Sequence, residues 1–158
     1  MKFLRSSDLF TNGPTFHKAT KMEPSDTVKQ FSGRRYINLE SYKKNGDPKQ
    51  TPVQSIEAAG VVYFRTDSKT WKVKRIRRNP HVRIVPSDRN GKPTGVWVEG
   101  EAHVLEGEEN HRAMGLFKKE YGSVGTSMVN FVGRLRGERL TTIISVDLRP
   151  WSYSETER

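Results

Sequence analysis

Val61-Val62-Tyr63-Phe64-Arg65-Thr66-Asp67-Ser68-Lys69-Thr70-Trp71-Lys72-Val73-Lys74-Arg75-Ile76-Arg77-Arg78-Asn79-Pro80 reads as an apolar strand, a short polar turn and a strongly basic helix. A helix N-terminus carries partial positive charge, which favours acids and disfavours lysine. Here Lys69 and Lys72 stand at the start, and no acid lies between Ser68 and Ser87. Free backbone N–H groups beside a lysine and the hydroxyls of Thr66, Ser68 and Thr70 suit a phosphate. We read the stretch as an anion seat on a strand-to-helix turn. The plain alternative is a solvated basic face, the usual fate of charge runs. Arg77 and Arg78, in the last turn, need nothing beyond the helix dipole; Lys72, at the opposite end, is not explained that way.

Upstream of this stretch, Ile37 and Leu39 alternate with polar neighbours in Tyr36–Tyr42, and Asn45-Gly46 is a hairpin signal. The next strand is Gln50–Ile56; its Pro52 lacks a ladder donor and so marks an edge, a strand start or a bulge. Ala59-Gly60 turns the chain into Val61. Downstream come His81–Val85, a turn at Arg89–Pro93, and a long strand over Gly95–Leu105, in which Gly100 suggests a bulge or bend. Residues 107–121 predict the clearest helix: Glu108 and Glu109 at its start, Lys118 and Lys119 near its end, a face of Met114, Phe117 and Tyr121, and Gly122 at C′. Ser127–Leu135 reads as a second, poorer helix and Leu140–Leu148 as the last strand. About six strands with two or three helices, and no regular βαβ alternation, point to a closed or half-open antiparallel barrel rather than a doubly wound sheet.

Composition narrows the function. The 158 residues suit one domain and carry a formal net charge of +10. That balance attracts nucleic acid, acidic membrane surfaces or anionic small molecules and excludes a strongly cationic substrate. A hydrophilic chain (33% hydrophobic, mean hydropathy −0.78) leaves room for a partner subunit to complete the core. There is no cysteine, hence no disulfide framework and no thiolate metal site. His17, His81, His103 and His111 show no ligand spacing, so no metal is expected. The apolar run at the N-terminus is too short for a secretory signal, and no stretch approaches the roughly 18 apolar residues of a membrane span. The default compartment is the cytoplasm, with no membrane role. Residues 1–33 read as an irregular N-terminal arm with one possible helical turn at Thr27–Phe31, 34–150 as the folded domain, and 151–158 as a polar tail.

The ordered set Tyr36-x-x-Leu39, Asn45-Gly46, Thr51-Pro52-Val53, a strand ending in Thr66, Lys72-Val73-x-Arg75-Ile76-x-x-Asn79-Pro80-x-Val82 and Lys118-x-x-Tyr121-Gly122 resembles the pyridoxamine-phosphate-oxidase-like, FMN-binding split-barrel superfamily. Within it the chain is most similar to the branch dependent on the deazaflavin coenzyme F-420. The resemblance covers about residues 34–150. It implies a mainly β fold, a six-stranded antiparallel split barrel with Greek-key connections and short helices. It also implies a homodimer with the cofactor, F-420 or FMN, in a groove at the subunit interface. Carried over, Thr66, Thr70 and Lys72 hold the phosphate with Arg65, Trp71 and Arg75 nearby, and Thr51, Pro52, Val53 and Gln54 run along the tricyclic ring. Gln54 stands where related sequences often carry an aromatic, and the Thr70-Trp71-Lys72 triplet departs from the usual small-residue-Lys pattern. The C-terminal Arg-x-His substrate signature of true pyridoxamine phosphate oxidases is missing from Leu148-Arg149-Pro150-Trp151-Ser152-Tyr153, so that activity is not expected.

Three functions follow from these readings. The first is an oxidoreductase moving a hydride between F-420 or FMN and a small-molecule acceptor; no catalytic residue is assigned, because in such chemistry the cofactor carries the reaction. The second is a flavin- or F-420-binding protein without turnover. The third is a basic barrel for nucleic acid, with Tyr63, Phe64 and Trp71 near cations. It is disfavoured because the cations cluster on one helix. The surplus of Arg and Lys suits the longer polyanionic tail of F-420 over FMN. Arg134, Arg136 and Arg139 read as solvated, Trp97 as core, and His103 and His111 as surface or half-buried.

Overall fold

Ile37 and Leu39, Val53, Val62 and Phe64, Val82 and Ile84, and Ile144 and Val146 each send one row of side chains into a common interior, as period-two patterning requires. The computed structural model, which describes residues 24–135 and 141–148, assembles these rows from β1 (Tyr36–Tyr42), β2 (Pro48–Ala58), β3 (Val61–Asp67), β4 (His81–Ser87), β5 (Val98–Val104) and β6 (Thr141–Leu148). All neighbours are antiparallel, and the barrel closes in the order β1-β2-β3-β6-β5-β4. The Asn45-Gly46 turn joins β1 to β2. The two-residue loop Ala59-Gly60 joins β2 to β3, with both residues at positive φ (50° and 83°), the geometry that matches strand twist in tight hairpins.

Strands β3 and β4 are not neighbours, so the chain crosses one end of the barrel between them. Helix α2 (Trp71–Arg78) makes that crossing. Its Val73 and Ile76 are buried in the main core. Helix α3 (Gly107–Leu135) joins β5 to β6 and breaks at Gly122, where φ is 73°. Ala113 and Phe117 on α3 pack with Ile56 and Ile143 in a second core on the outer face of the barrel, flanked by Met114 and Tyr121. Helix α1 (Pro24–Lys29) falls within the expected arm, and the neighbouring Phe31 is buried in the main core. The tip of the arm, the tail after Leu148 and the side chains of Arg134, Arg136 and Arg139 lie outside the described residues.

The barrel is unevenly laced. Strand β2 pairs with β1 from Pro48 to Gln54 but with β3 only over Ser55–Ala58. Strand β3 continues alone to Asp67, held by β6. Thr51–Gln54 and Arg65–Asp67 therefore face each other across a seam without a ladder. Pro52 fits this seam. Ser55 N donates to Arg35 O, so by alternation the nitrogen of Pro52 turns away from β1 toward the unpaired side, where no donor is required.

Two expectations are corrected. The fifth strand begins at Val98, not Gly95, because the Gln30 side chain takes the role of a strand partner: its Oε1 accepts from Val96 N and its Nε2 donates to Val96 O, both at 3.0 Å. Trp97 is thus outside the ladder and half-buried, with the Arg83 guanidinium 5.2 Å from its ring centre. Gly100 marks no bulge: it pairs in register with Val82 and with Leu148. It is small because the chain approaches closely, a Cβ there lying 2.7 Å from Val146 Cγ1 and 2.9 Å from Asp147 O. Gly100→Ala should cost about 1–3 kcal/mol through overpacking, read as a lower denaturation midpoint.

Candidate anion seat at the open seam

The turn between β3 and α2 is shaped by Asp67. Its Oδ1 accepts from Lys69 N at 2.9 Å, and its carbonyl accepts from Thr70 N at 3.1 Å and from Thr70 Oγ1 at 2.9 Å. Committing the Thr70 hydroxyl backward has a consequence for α2. Thr70 occupies the N-cap position but makes no side-chain cap, and the first turn contains no acid. A helix start normally has its free N–H groups met by such a side chain. Here no capping side chain meets them.

Lys72 stands beside them. Its Nζ donates to Thr66 Oγ1 at 3.2 Å, and Thr66 Oγ1 lies 3.4 Å from Thr70 Oγ1. Burial, and next the Arg75 charge, hold the Lys72 ammonium below the usual lysine range, and Asp67 opposes them only in part. Arg75 donates from Nε to the buried Ser41 Oγ at 2.9 Å, and Arg78 donates to Tyr42 O. Both anchor α2 to the end of β1. Burial and the neighbouring Arg78 lower the Arg75 pKa as well. Two cations whose charged forms burial disfavours, set around uncapped N–H groups and two hydroxyls, form a site whose electrostatics a bound anion would relieve.

The sequence-predicted residues separate into groups. Thr66, Thr70 and Lys72 form one hydrogen-bonded cluster, with Arg75 on the next turn of α2. Trp71 is 73% exposed, with Lys74 Nζ 4.5 Å from its ring centre. Val53 points into the main core, so only its backbone borders the seam. Thr51 is half-buried and Pro52 is exposed, beside Gly91 of the β4–β5 loop. Gln54 and Arg65 lie on the outer face, where Arg65 Nη2 donates to Gln54 Oε1 across the seam at 2.8 Å. Arg65 is thus on the opposite face of β3 from Thr66, away from the Thr66–Thr70–Lys72 cluster. Sequence reasoning missed Ser41 and Asp67. Asp67 had a signal, since Asp two residues before a backbone N–H is a common turn former; Ser41 had none.

These features fit a phosphate-bearing cofactor with a flat ring: a cationic, uncapped helix start for the phosphate, and an unpaired strand edge, Thr51–Gln54, for the ring. Among the described residues no group of side chains is arranged to hold a metal ion, and no helix is long and apolar enough to cross a membrane. His103 is exposed, 3.6 Å from carboxylate oxygens of Glu101 and Asp147.

A family model described as pyridoxamine 5'-phosphate oxidase matches residues 25–151. No curated protein sequence matches the chain. Among solved structures, a conserved hypothetical protein from Mycobacterium tuberculosis is similar with a TM-score of 0.58 at 21% identity, over 81% of each chain. The heme storage protein HutZ from Vibrio cholerae gives a TM-score of 0.58 at 12% identity, over 81% of this chain and 92% of that one. An FAD-binding protein from Mesorhizobium loti gives 0.55 at 16%, over 81% and 89%. At these identities the likeness is one of fold.

Proposed function

This chain belongs to the pyridoxamine 5'-phosphate oxidase family, and on that premise we propose that it binds a flavin or deazaflavin, FMN or coenzyme F-420, as an oxidoreductase acting on a small molecule. The observation that carries this reading is the uncapped start of α2 with Lys72 held on Thr66. Lys72, Thr66 and the free N–H groups of α2 would hold the phosphate, with Thr70 shaping the turn behind them through its bond to Asp67 O. The open edge at Thr51–Gln54 would offer backbone groups to the ring. Such a cofactor supplies the hydride chemistry when bound; the chain binds it, orients it and sets the charge around it. The groove is completed by a second copy of the chain. The name of the family is not carried over as an activity, because the Arg-x-His signature is missing from residues 148–153.

Titration of the purified chain with FMN and with F-420, followed by their visible absorption and by tryptophan fluorescence, tests this reading. Exposed Trp71 beside the seat should report occupancy. Binding of one cofactor in the micromolar range or tighter supports the proposal and identifies the cofactor; binding of neither overturns it. Turnover of the bound cofactor with a chemical reductant and candidate acceptors then separates an enzyme from a carrier.

A further inference from the structure

Two arginines lie against the aromatic side chains of α3 and are not used by the phosphate seat. Arg65 reaches across to Gln54 Oε1 at 2.8 Å, with its guanidinium 5.7 Å from the Phe117 ring centre. Arg35 lies 5.3 Å from the Tyr121 ring centre. The two rings stack on one another, with centres 6.0 Å apart and planes 25° from parallel. The Tyr121 hydroxyl is occupied, donating to Ser55 O at 2.6 Å, which pins α3 to β2 just where the ladder to β3 gives out.

We propose that Arg35 and Arg65, mounted on the Phe117–Tyr121 platform, form a second anion site that takes a planar carboxylate. Arg83 is neutralised by Glu40 at 3.1 Å, Arg77 by Glu106 at 3.1 Å and Arg112 by Glu108 at 2.9 Å. Arg35 and Arg65, like Arg34, Arg75, Arg78 and Arg89, have no carboxylate partner among the described residues; what distinguishes them is that both lie against the Phe117–Tyr121 pair. Arg65 instead rests on a neutral amide through Nη2, which leaves part of its donor fork for another acceptor. Both arginines act on one group: burial raises the Tyr121 pKa, and Arg35 and Arg65 each pull it back. The guanidinium fork matches a carboxylate in plane and spacing, and the rings beneath hold the two guanidiniums in place. Strand alternation separates this site from the phosphate seat, since Thr66 and Arg65 are on opposite faces of β3. That the carboxylate belongs to the substrate of the redox reaction rests on the function proposed above; the binding site itself does not.

Calorimetric titration of the full chain with benzoate and with inorganic phosphate tests the site. Benzoate affinity should fall by about tenfold or more in Arg65→Gln, the scale of losing a charged hydrogen bond. It should change by less than about threefold in Lys72→Met, and phosphate should show the reverse pattern. Gln54→Glu gives the sharper test: it keeps the seam bridged but supplies Arg65 with an internal carboxylate, so benzoate binding should be lost although the fold is held. A purely structural role for Arg65 predicts no loss in Gln54→Glu. Benzoate binding unchanged in both variants, absent from the wild type at millimolar concentration, or lost equally in Lys72→Met overturns the proposal. If Arg65→Gln melts early, Arg35→Gln replaces it. Loss of the phosphate arm alone refutes the seat and leaves this site standing.

Discussion

Lys72→Met should weaken the binding of a phosphate-bearing cofactor by about tenfold or more, the cost of a charge-assisted contact in a half-buried site, while leaving the cofactor-free protein at least as stable as the wild type. The two effects have one cause. Burial first, and the Arg75 charge second, lower the Lys72 pKa in the folded chain, so the empty seat holds its ammonium at a disadvantage. In the window between the lowered folded pKa and the ordinary unfolded value, the unfolded chain binds more protons. Stability of the cofactor-free protein therefore rises as pH climbs through that window. Phosphate binding runs the other way, because it is the ammonium that the anion meets; affinity should fall over the same range. Methionine fills similar volume without charge, so both pH dependences attributable to residue 72 should flatten. Denaturation and cofactor titrations across neutral to alkaline pH check both slopes. Parallel slopes in wild type and variant would mean that the anion contacts another group.

Much of the barrel was legible because it rests on local chemistry. Asn45-Gly46 and Ala59-Gly60 are turn signals that need no tertiary context, and the alternation along Tyr36–Tyr42 and Val61–Asp67 places its apolar row inward. The nearness of Thr66, Thr70 and Lys72 was legible for a related reason: they lie within seven residues, and a lysine at a helix start stands out against the dipole. What could not be read was set by contacts distant in the chain. Gln30 truncates β5 by bonding Val96, 66 residues away. Gly100, read as a bend, is small because Val146 and Asp147 crowd it from a strand more than forty residues on. Arg65, carried over beside the phosphate by sequence proximity to Thr66, is on the other face of β3, and only the early end of the β2–β3 ladder shows what it does there. Phe117 and Tyr121 were read correctly as an apolar face; that two guanidiniums rest on them appears only once α3 is laid against β2 and β3.

Ile76→Ala should cost about 2–5 kcal/mol of stability, as for a large aliphatic side chain removed from a packed core, and should weaken the anion seat although Ile76 touches no ligand. The side chain is 2% exposed and belongs with Val73 to the main core. Helix α2 has eight residues, too few to persist alone in water. Its position across the barrel end depends on these two apolar anchors and on the Arg75–Ser41 and Arg78–Tyr42 bonds. Shortening one anchor leaves a cavity under the helix and frees its first turn, where the uncapped N–H groups must converge. If α2 is then seated only part of the time, apparent affinity drops by that fraction. Trp71→Ala is the control: at 73% exposure it should change stability by less than about 0.5 kcal/mol. Saturating cofactor at a hundred times its dissociation constant should raise wild-type stability by about 2.7 kcal/mol. Recovery of a comparable increment in Ile76→Ala, at a higher cofactor concentration, would show the seat intact but less often assembled. Full stability and full affinity in Ile76→Ala would mean that α2 is held in place by its arginines alone.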